Sequence, residues 1–324
     1  MERAFYSEML FDRQADQIES VLTRLALPAR VDGGVIREGR VRYHLTPSIG
    51  TQPLEVIELA EDVAQELGLR DVRVLRETGG LAIEVPLESA TGLRLLPLIH
   101  ALPRLQPLTA VVGMNGAGRP VLLELERAAA WHALIQAPAG AGKSELLRTL
   151  AAGLALSTRP AQLGMLSIDL SGRELTPLEA LPHTLAAACE ARSARELLLW
   201  VVDEIERRQQ TDEQPPHLVL FVDDAGRLRD QLGQPDAGLL QAVLHDGPRT
   251  RVHLIAAARR GSELPHAGRS TAHIEASPEG RQGSFQIRSG FESVRVQAAW
   301  MSARDLDAVL QLVMAGQRTA GWPE

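Results

Sequence analysis

The chain has 324 residues, 45% apolar and 23% charged, which excludes a disordered tail and leaves room for two domains or one large α/β unit with an appendage. Its formal net charge of −7, with no basic tail or lysine-rich run, argues against non-specific adhesion to nucleic acid but leaves an arginine-lined channel open. No apolar run approaches the ~20 residues of a membrane span and the amino terminus lacks a signal-peptide core, so a cytoplasmic protein is expected.

Residues 16–28, DQIESVLTRLALP, have apolar positions at helical spacing and end on a proline, which predicts a helix. RVDGGVIREGRVRYHLTP reads as strand, turn and strand, with Val41, Tyr43 and Leu45 alternating. Pro53 to Leu69 is predicted as an amphipathic helix, opened by proline and with Gly68 near its end. DVRVLRE, a Gly-Gly turn and LAIEVPL predict a hairpin. Together these make a small βαββ module over roughly 30–88, with nothing catalytic in it. A short helix and proline-punctuated connector at 90–108 set the expected boundary between domains 1–105 and 106–324.

Two strands joined by a glycine turn, TAVVGMNGAGRPVLLELER, open the second domain. Buried strands are predicted at AWHALIQ, at 163–170 ending near Asp169, at 217–224, at 251–260 and at 293–300. Helices are predicted after residue 143, at 191–210, in DAGLLQAVLHDG and in ARDLDAVLQLVMAG. Alternating strands and helices predict an α/β core, a mostly parallel sheet with helices on both faces. Cys189, the single cysteine, excludes a disulfide framework or a cysteine zinc site and is expected in the core. The nine histidines show no metal-type spacing.

The chemistry concentrates in APAGAGKS, 137–144, where a buried strand runs through a glycine-rich loop into a helix. That context suits a phosphate-binding P-loop, with Ala137 standing where the first glycine is usual. The backbone amides of Gly140, Ala141, Gly142, Lys143 and Ser144, with Glu145 following, are expected to cradle the phosphates of a nucleotide at the positive end of the helix. Lys143 would bridge the β- and γ-phosphates and the Ser144 hydroxyl would ligate Mg2+. Of 34 basic residues Lys143 is the single lysine, and arginine serves everywhere else. A planar guanidinium substitutes poorly for a compact ammonium between phosphate oxygens. HLVLFVDD then delivers Asp223 to support the magnesium, directly or through water, and Asp224 to position the attacking water.

Further motifs carry a family resemblance. IDLSGRELTPLEALPHT, 168–184, resembles without gaps the Ile-Asp-Pro-Lys-x-x-Glu-Leu-x-x-x-Glu-x-x-Pro-His motif of the FtsK/SpoIIIE DNA translocases, through Asp169, Glu174, Leu175, Glu179, Pro182 and His183. VDEIERRQQ is similar to that family's Glu-Met-Glu-Arg-Arg helix end, and VHLIAAARR to its sensor strand through His253, Leu254, Ile255, Ala257 and Arg260. The final strand SVRVQAAW and the small N-terminal module are similar to family counterparts too, so the resemblance runs from about residue 18 to near the end. It implies a RecA-like P-loop NTPase domain, assembly as a homo-oligomer such as a hexameric ring, duplex DNA in the pore, and ATP hydrolysis driving translocation. Arg249 and Arg251 would then face a neighbour's nucleotide, DNA or solvent.

The departures fall on catalysis and on the pore. Asp224 stands where the family has a glutamate, about one methylene or ~1.5 Å short, and misplacement on that scale can cost ~10²-fold in rate. Arg259 stands at the sensor glutamine and is counted with Lys143, Asp223 and Asp224 as catalytic; Ser171 replaces the motif lysine. The segments between Arg208 and His217 and after the sensor strand look trimmed. The alternative reading is a degenerate member that binds ATP as a structural or regulatory ligand without translocation.

Overall fold

The structure, a computed structural model, describes residues 15–16, 18–24, 29–37, 40–47, 72–77, 80–86, 93–102, 104–211, 214–233, 236, 238–266, 268, 270–278 and 282–318. The chain divides into two compact units, Met1–Pro103 with Gly113–Val121 and Arg104–Val112 with Leu122–Glu324.

In the first unit, residues 18–24 are helical and bury Ile18, Val21 and Leu22. Four antiparallel strands follow: β1 (Ala29–Arg37), β2 (Arg40–Pro47), β3 (Arg73–Glu77) and β4 (Gly80–Pro86), in the order β1-β2-β4-β3. The predicted alternation on β2 is what the sheet uses, since Val41, Tyr43 and Leu45 are buried and lie opposite Val85, Ile83 and Leu81. Glu84 is buried there as well, and Arg40 and Arg42 pair with it. The helix predicted over Pro53–Leu69 lies outside the described residues. Helix α1 spans Leu95–His100.

The larger sheet contains β5 (Thr109–Asn115), β6 (Pro120–Glu124), β7 (His132–Gln136), β8 (Leu163–Asp169), β9 (Thr184–Ala188), β10 (His217–Asp223), β11 (Val252–Ala258), β12 (Thr271–Ala276), β13 (Ser284–Ser289) and β14 (Glu292–Ala298). Its order is β6-β5-β14-β13-β12-β7-β11-β10-β8-β9. Strands β12, β7, β11, β10, β8 and β9 run parallel, while β13 and β14 are antiparallel additions. Every residue of β8, β10 and β11 is buried, as expected for strands covered on both faces.

On one face, Leu134, Ile168, Leu220 and Leu254 pack in a cluster with α3 (Ala191–Gln209), α4 (Ala225–Leu232) and α5 (Leu239–Thr250). Helix α3 shows why it docks: Ala194, Leu198, Val201 and Ile205 recur at spacings of three and four and are all buried. Each such Leu or Ile contributes roughly 1.5–3 kcal/mol by leaving water. Helix α2 (Lys143–Ser157) contacts β10 and β11, and α6 (Ala303–Arg318) packs against α2.

Strands β9, β12 and β13 were not legible in the sequence. They are short; β12 and β13 interrupt their apolar residues with polar ones, and β9 is mostly alanine, with three of its five residues exposed. Cys189 is a correction to the sequence reading: it is exposed, because it follows edge strand β9 in the turn leading to α3. Among the described residues no helix is long and apolar enough to cross a membrane, and no group of three or more His, Cys, Asp or Glu could hold a metal ion.

Candidate nucleotide site

The parallel register brings the carboxyl ends of four strands together. Asp223 lies opposite Asp169, Val222 opposite Ala256, and Ala258 opposite Gln136. Strand β7 therefore enters the P-loop beside the end of β11, with β10 and its two carboxylates one strand further on. In open α/β sheets this carboxyl edge is where ligands bind.

Ala137 tolerates its Cβ because it is still part of the sheet: it is buried, and its amide donates to the Ala258 carbonyl at 3.1 Å. The glycines matter further along. Gly140 at φ +78° and Gly142 at φ +97° take left-handed conformations that curl the loop before α2 begins at Lys143. The Ala141 carbonyl accepts from the Gly283 amide at 2.9 Å, tying the loop to the start of β13. Lys143 Nζ donates back across the loop to the carbonyls of Ala137 at 2.7 Å and Pro138 at 2.9 Å. Burial disfavours its charged form and lowers its pKa, against the pull of Asp223 and Asp224. Glu145 points elsewhere, accepting from the Met301 amide at 3.0 Å and pairing with Arg148, which also binds Glu174 at 2.9 Å.

The Ser144 hydroxyl donates to Asp223 Oδ2 at 2.8 Å, joining the first turn of α2 to the end of β10. Burial pushes the Asp223 carboxyl above its usual range; the Ser144 bond opposes this, and the neighbouring carboxylates Asp169, Glu174 and Asp224 reinforce it. Asp169 has the opposite fate. Burial works against its charge, but Ser171 Oγ and the amides of Ser171, Arg173, Glu174 and Leu175 all donate to it, and the net effect lowers its pKa. It organises the loop that carries Glu174 to Arg148.

Asp224 caps α4. Its backbone is left-handed at φ 58°, ψ 66°, its Oδ1 accepts from the Arg227 amide at 3.1 Å, and its Oδ2 faces Arg259 Nη2 at 3.8 Å. Arg259 follows β11, and its amide donates to Glu263 Oε2 at 3.1 Å. Glu263 is buried and also takes the amide and Nε of Arg260. The sequence offered no sign of this clamp, whose partner Gly226 is equally unmarked: a Cβ there would lie 2.8 Å from the Glu263 carboxyl.

The FtsK/SpoIIIE family profile matches residues 103–263, the span holding every residue just described except Gly283 and Met301. Residues 103–263 form a domain of the FtsK/SpoIIIE family. A DNA translocase FtsK of Lactiplantibacillus plantarum is 24% identical over 97% of this chain and 46% of its own length, so the chain spans less than half of that relative. The cytoplasmic domain of the Thermomonospora curvata type VII secretion ATPase EccC superposes with a TM-score of 0.53 at 22% identity, over 65% of this chain and 32% of that one. The pCW3 conjugation coupling protein TcpA, solved with ATPγS, gives 0.51 at 14% identity over 93% and 99%. These structures show a shared fold, the RecA-like P-loop NTPase core.

The FtsK/SpoIIIE motif residues sort by place. Asp169 and Glu174 lie at the carboxyl edge. Arg208 and His253 lie at the other end of the sheet, where Arg208 is buried and donates to the carbonyls of Pro216 and Thr250. Arg249 is exposed, and Arg251 binds Gln214 Oε1 at 2.7 Å; both precede β11 and so lie at the end opposite the P-loop.

Proposed function

We propose that the chain is an ATP-binding and ATP-hydrolysing module of FtsK type that acts on duplex DNA, with residues 106–324 as the motor domain and 1–105 as a separate small domain. The observation that carries this reading is the Ser144–Asp223 bond across the mouth of a P-loop that holds the single lysine of the chain. Both atoms are hard oxygen donors, the kind magnesium takes. When bound there, magnesium supplies the positive charge that keeps Asp223 ionised and screens the phosphate oxygens.

The protein's own groups supply the rest. The amides of Gly140, Ala141, Gly142, Lys143, Ser144 and Glu145 surround the phosphates at the positive end of α2. Lys143 exchanges the Ala137 and Pro138 carbonyls for phosphate oxygens, which make stronger charge-assisted bonds. Asp224 orients the attacking water. Family membership supports duplex DNA as substrate, a homo-oligomeric ring and a cytoplasmic setting as parts of the same proposal.

A second reading, nucleotide binding without translocation, draws on one observation: Asp224 already caps α4 and faces Arg259. Magnesium-dependent ATP hydrolysis, measured with and without linear duplex DNA, separates the two. Turnover stimulated by DNA and abolished in Lys143→Ala is the expected result. Tight ATP binding with negligible turnover, unmoved by DNA, would leave the second reading.

A further inference from the structure

Four carboxylates, those of Asp169, Glu174, Asp223 and Asp224, gather at the carboxyl edge of the sheet. Three of them are compensated locally: Asp169 by the amides of its own loop and the Ser171 hydroxyl, Asp223 by the Ser144 hydroxyl, and Asp224 by the Arg227 amide and the facing Arg259. Glu174 is compensated from α2, by Arg148, whose Nη1 donates to Glu174 Oε2 and to the Glu174 carbonyl at 2.9 Å each. Ser171, which stands where the FtsK/SpoIIIE motif has a lysine, brings no charge to this loop.

Arg148 lies four residues after Ser144, so it rises from the same face of α2 as the hydroxyl that meets Asp223. Its other terminal nitrogen, Nη2, pairs with Glu145, whose second oxygen takes the Met301 amide at 3.0 Å. The guanidinium thus spans two carboxylates, and at 22% exposed it is largely shielded from bulk water. Glu174 in turn acts on the site: burial first, and then the charges of Asp169, Glu174 and Asp224, disfavour the ionised form of Asp223 against the Ser144 bond. A triphosphate entering this edge meets the same negative field, and Arg148 is the cation that offsets the Glu174 share of it.

We propose that Arg148 is a positioning residue of the nucleotide site: it holds the Glu174 carboxylate against α2 and cancels its charge, so that phosphates bind without opposing that acid. Arg148 touches no nucleotide in this role and acts through Glu174. The two residues therefore matter as a charge pair: losing the cation weakens binding, losing the acid does not, and losing both restores the balance. This rests on the nucleotide-site reading above and deepens it.

The test is calorimetric titration of the full chain with ATPγS and magnesium for wild type, Arg148→Ala, Arg148→Lys, Glu174→Gln and the double variant of Arg148→Ala with Glu174→Gln, thermal unfolding confirming that each is folded. Arg148→Ala weakens ATPγS affinity by about fivefold or more, as expected for one uncompensated charge near a polyanion. Arg148→Lys, which keeps the charge but not the fork, recovers most of that loss. Glu174→Gln binds ATPγS at least as well as wild type, and the double variant returns to within about twofold of wild type although it lacks the ion pair. Glu174→Gln weakening binding as much as Arg148→Ala, or a double variant no better than Arg148→Ala, would overturn the proposal and leave a purely structural clamp. Unchanged affinity in Arg148→Ala would overturn it as well. If wild type does not bind ATPγS, the underlying nucleotide-site reading falls, and this proposal with it.

Discussion

Strands β7, β10 and β11 each carry a histidine near their first residue and lead at the other end into a group of the candidate nucleotide site, and the two ends of the sheet differ in kind. At the carboxyl end stand Lys143, Asp223, Asp224 and Arg259, charged groups with polar contacts at the P-loop. At the amino end His132, His217 and His253 are buried, and the half-buried Trp131 stacks on His253. His253 Nδ1 donates to the Trp131 carbonyl at 2.8 Å, so its Nε2 accepts from His217 Nδ1 at 2.9 Å, and the Leu254 amide donates to His132 Nδ1 at 3.0 Å. Burial lowers the histidines to about 4, 4 and 3 respectively, so all three are neutral at pH 7. One end gathers charged groups beside a glycine-rich loop; the other packs neutral rings between the strands.

Substitutions at the two ends should therefore separate. The largest effect belongs to Lys143→Ala, expected to weaken ATPγS binding by at least ~100-fold, or about 3 kcal/mol. Its melting temperature should stay within a few degrees of wild type, as calorimetry and thermal unfolding would show. At the histidine end Gly247→Ala has the reverse profile. A Cβ there would lie 2.4 Å from the Val252 carbonyl and 3.0 Å from His132 Cε1. Overpacking of this kind costs about 2–3 kcal/mol, read as a lower melting temperature with nucleotide affinity close to wild type in the folded protein.

A pH titration sharpens the contrast further. Unfolding lets each histidine return to its ordinary pKa near 6.5, so between about pH 4 and 6.5 the unfolded chain binds more protons. The stability these neutral histidines contribute is complete above about pH 6.5 and is lost as pH falls toward 4. Between pH 7.5 and 5 a single such residue should account for about 2 kcal/mol, and His132→Gln should flatten the slope measured by denaturant unfolding. The smallest effect expected is Asp169→Asn, about 1 kcal/mol, since asparagine keeps one acceptor for the donors around Asp169 but loses the charge.

The sequence showed one end of the sheet far better than the other. A P-loop is a contiguous string, and HLVLFVDD is a buried strand delivering its acids, so Lys143, Ser144 and Asp223 could be assembled from adjacent residues. The histidines lie 85 and 36 residues apart along the chain, and only the parallel register of β7, β11 and β10 makes them neighbours. Arg259 and Asp224 were each legible as departures from the family pattern, but their pairing with one another and the support from Glu263 were not. Those contacts depend on how two loops at the carboxyl edge meet, which no periodicity records.

The most direct test of the account is binding of ATPγS to the full chain, titrated with magnesium and with a chelator, beside Lys143→Ala. The account predicts tight binding that weakens when magnesium is removed and is lost in the variant, at unchanged fold stability. Binding that is equal in wild type and Lys143→Ala, or indifferent to magnesium, would contradict the placement of the nucleotide at this end of the sheet.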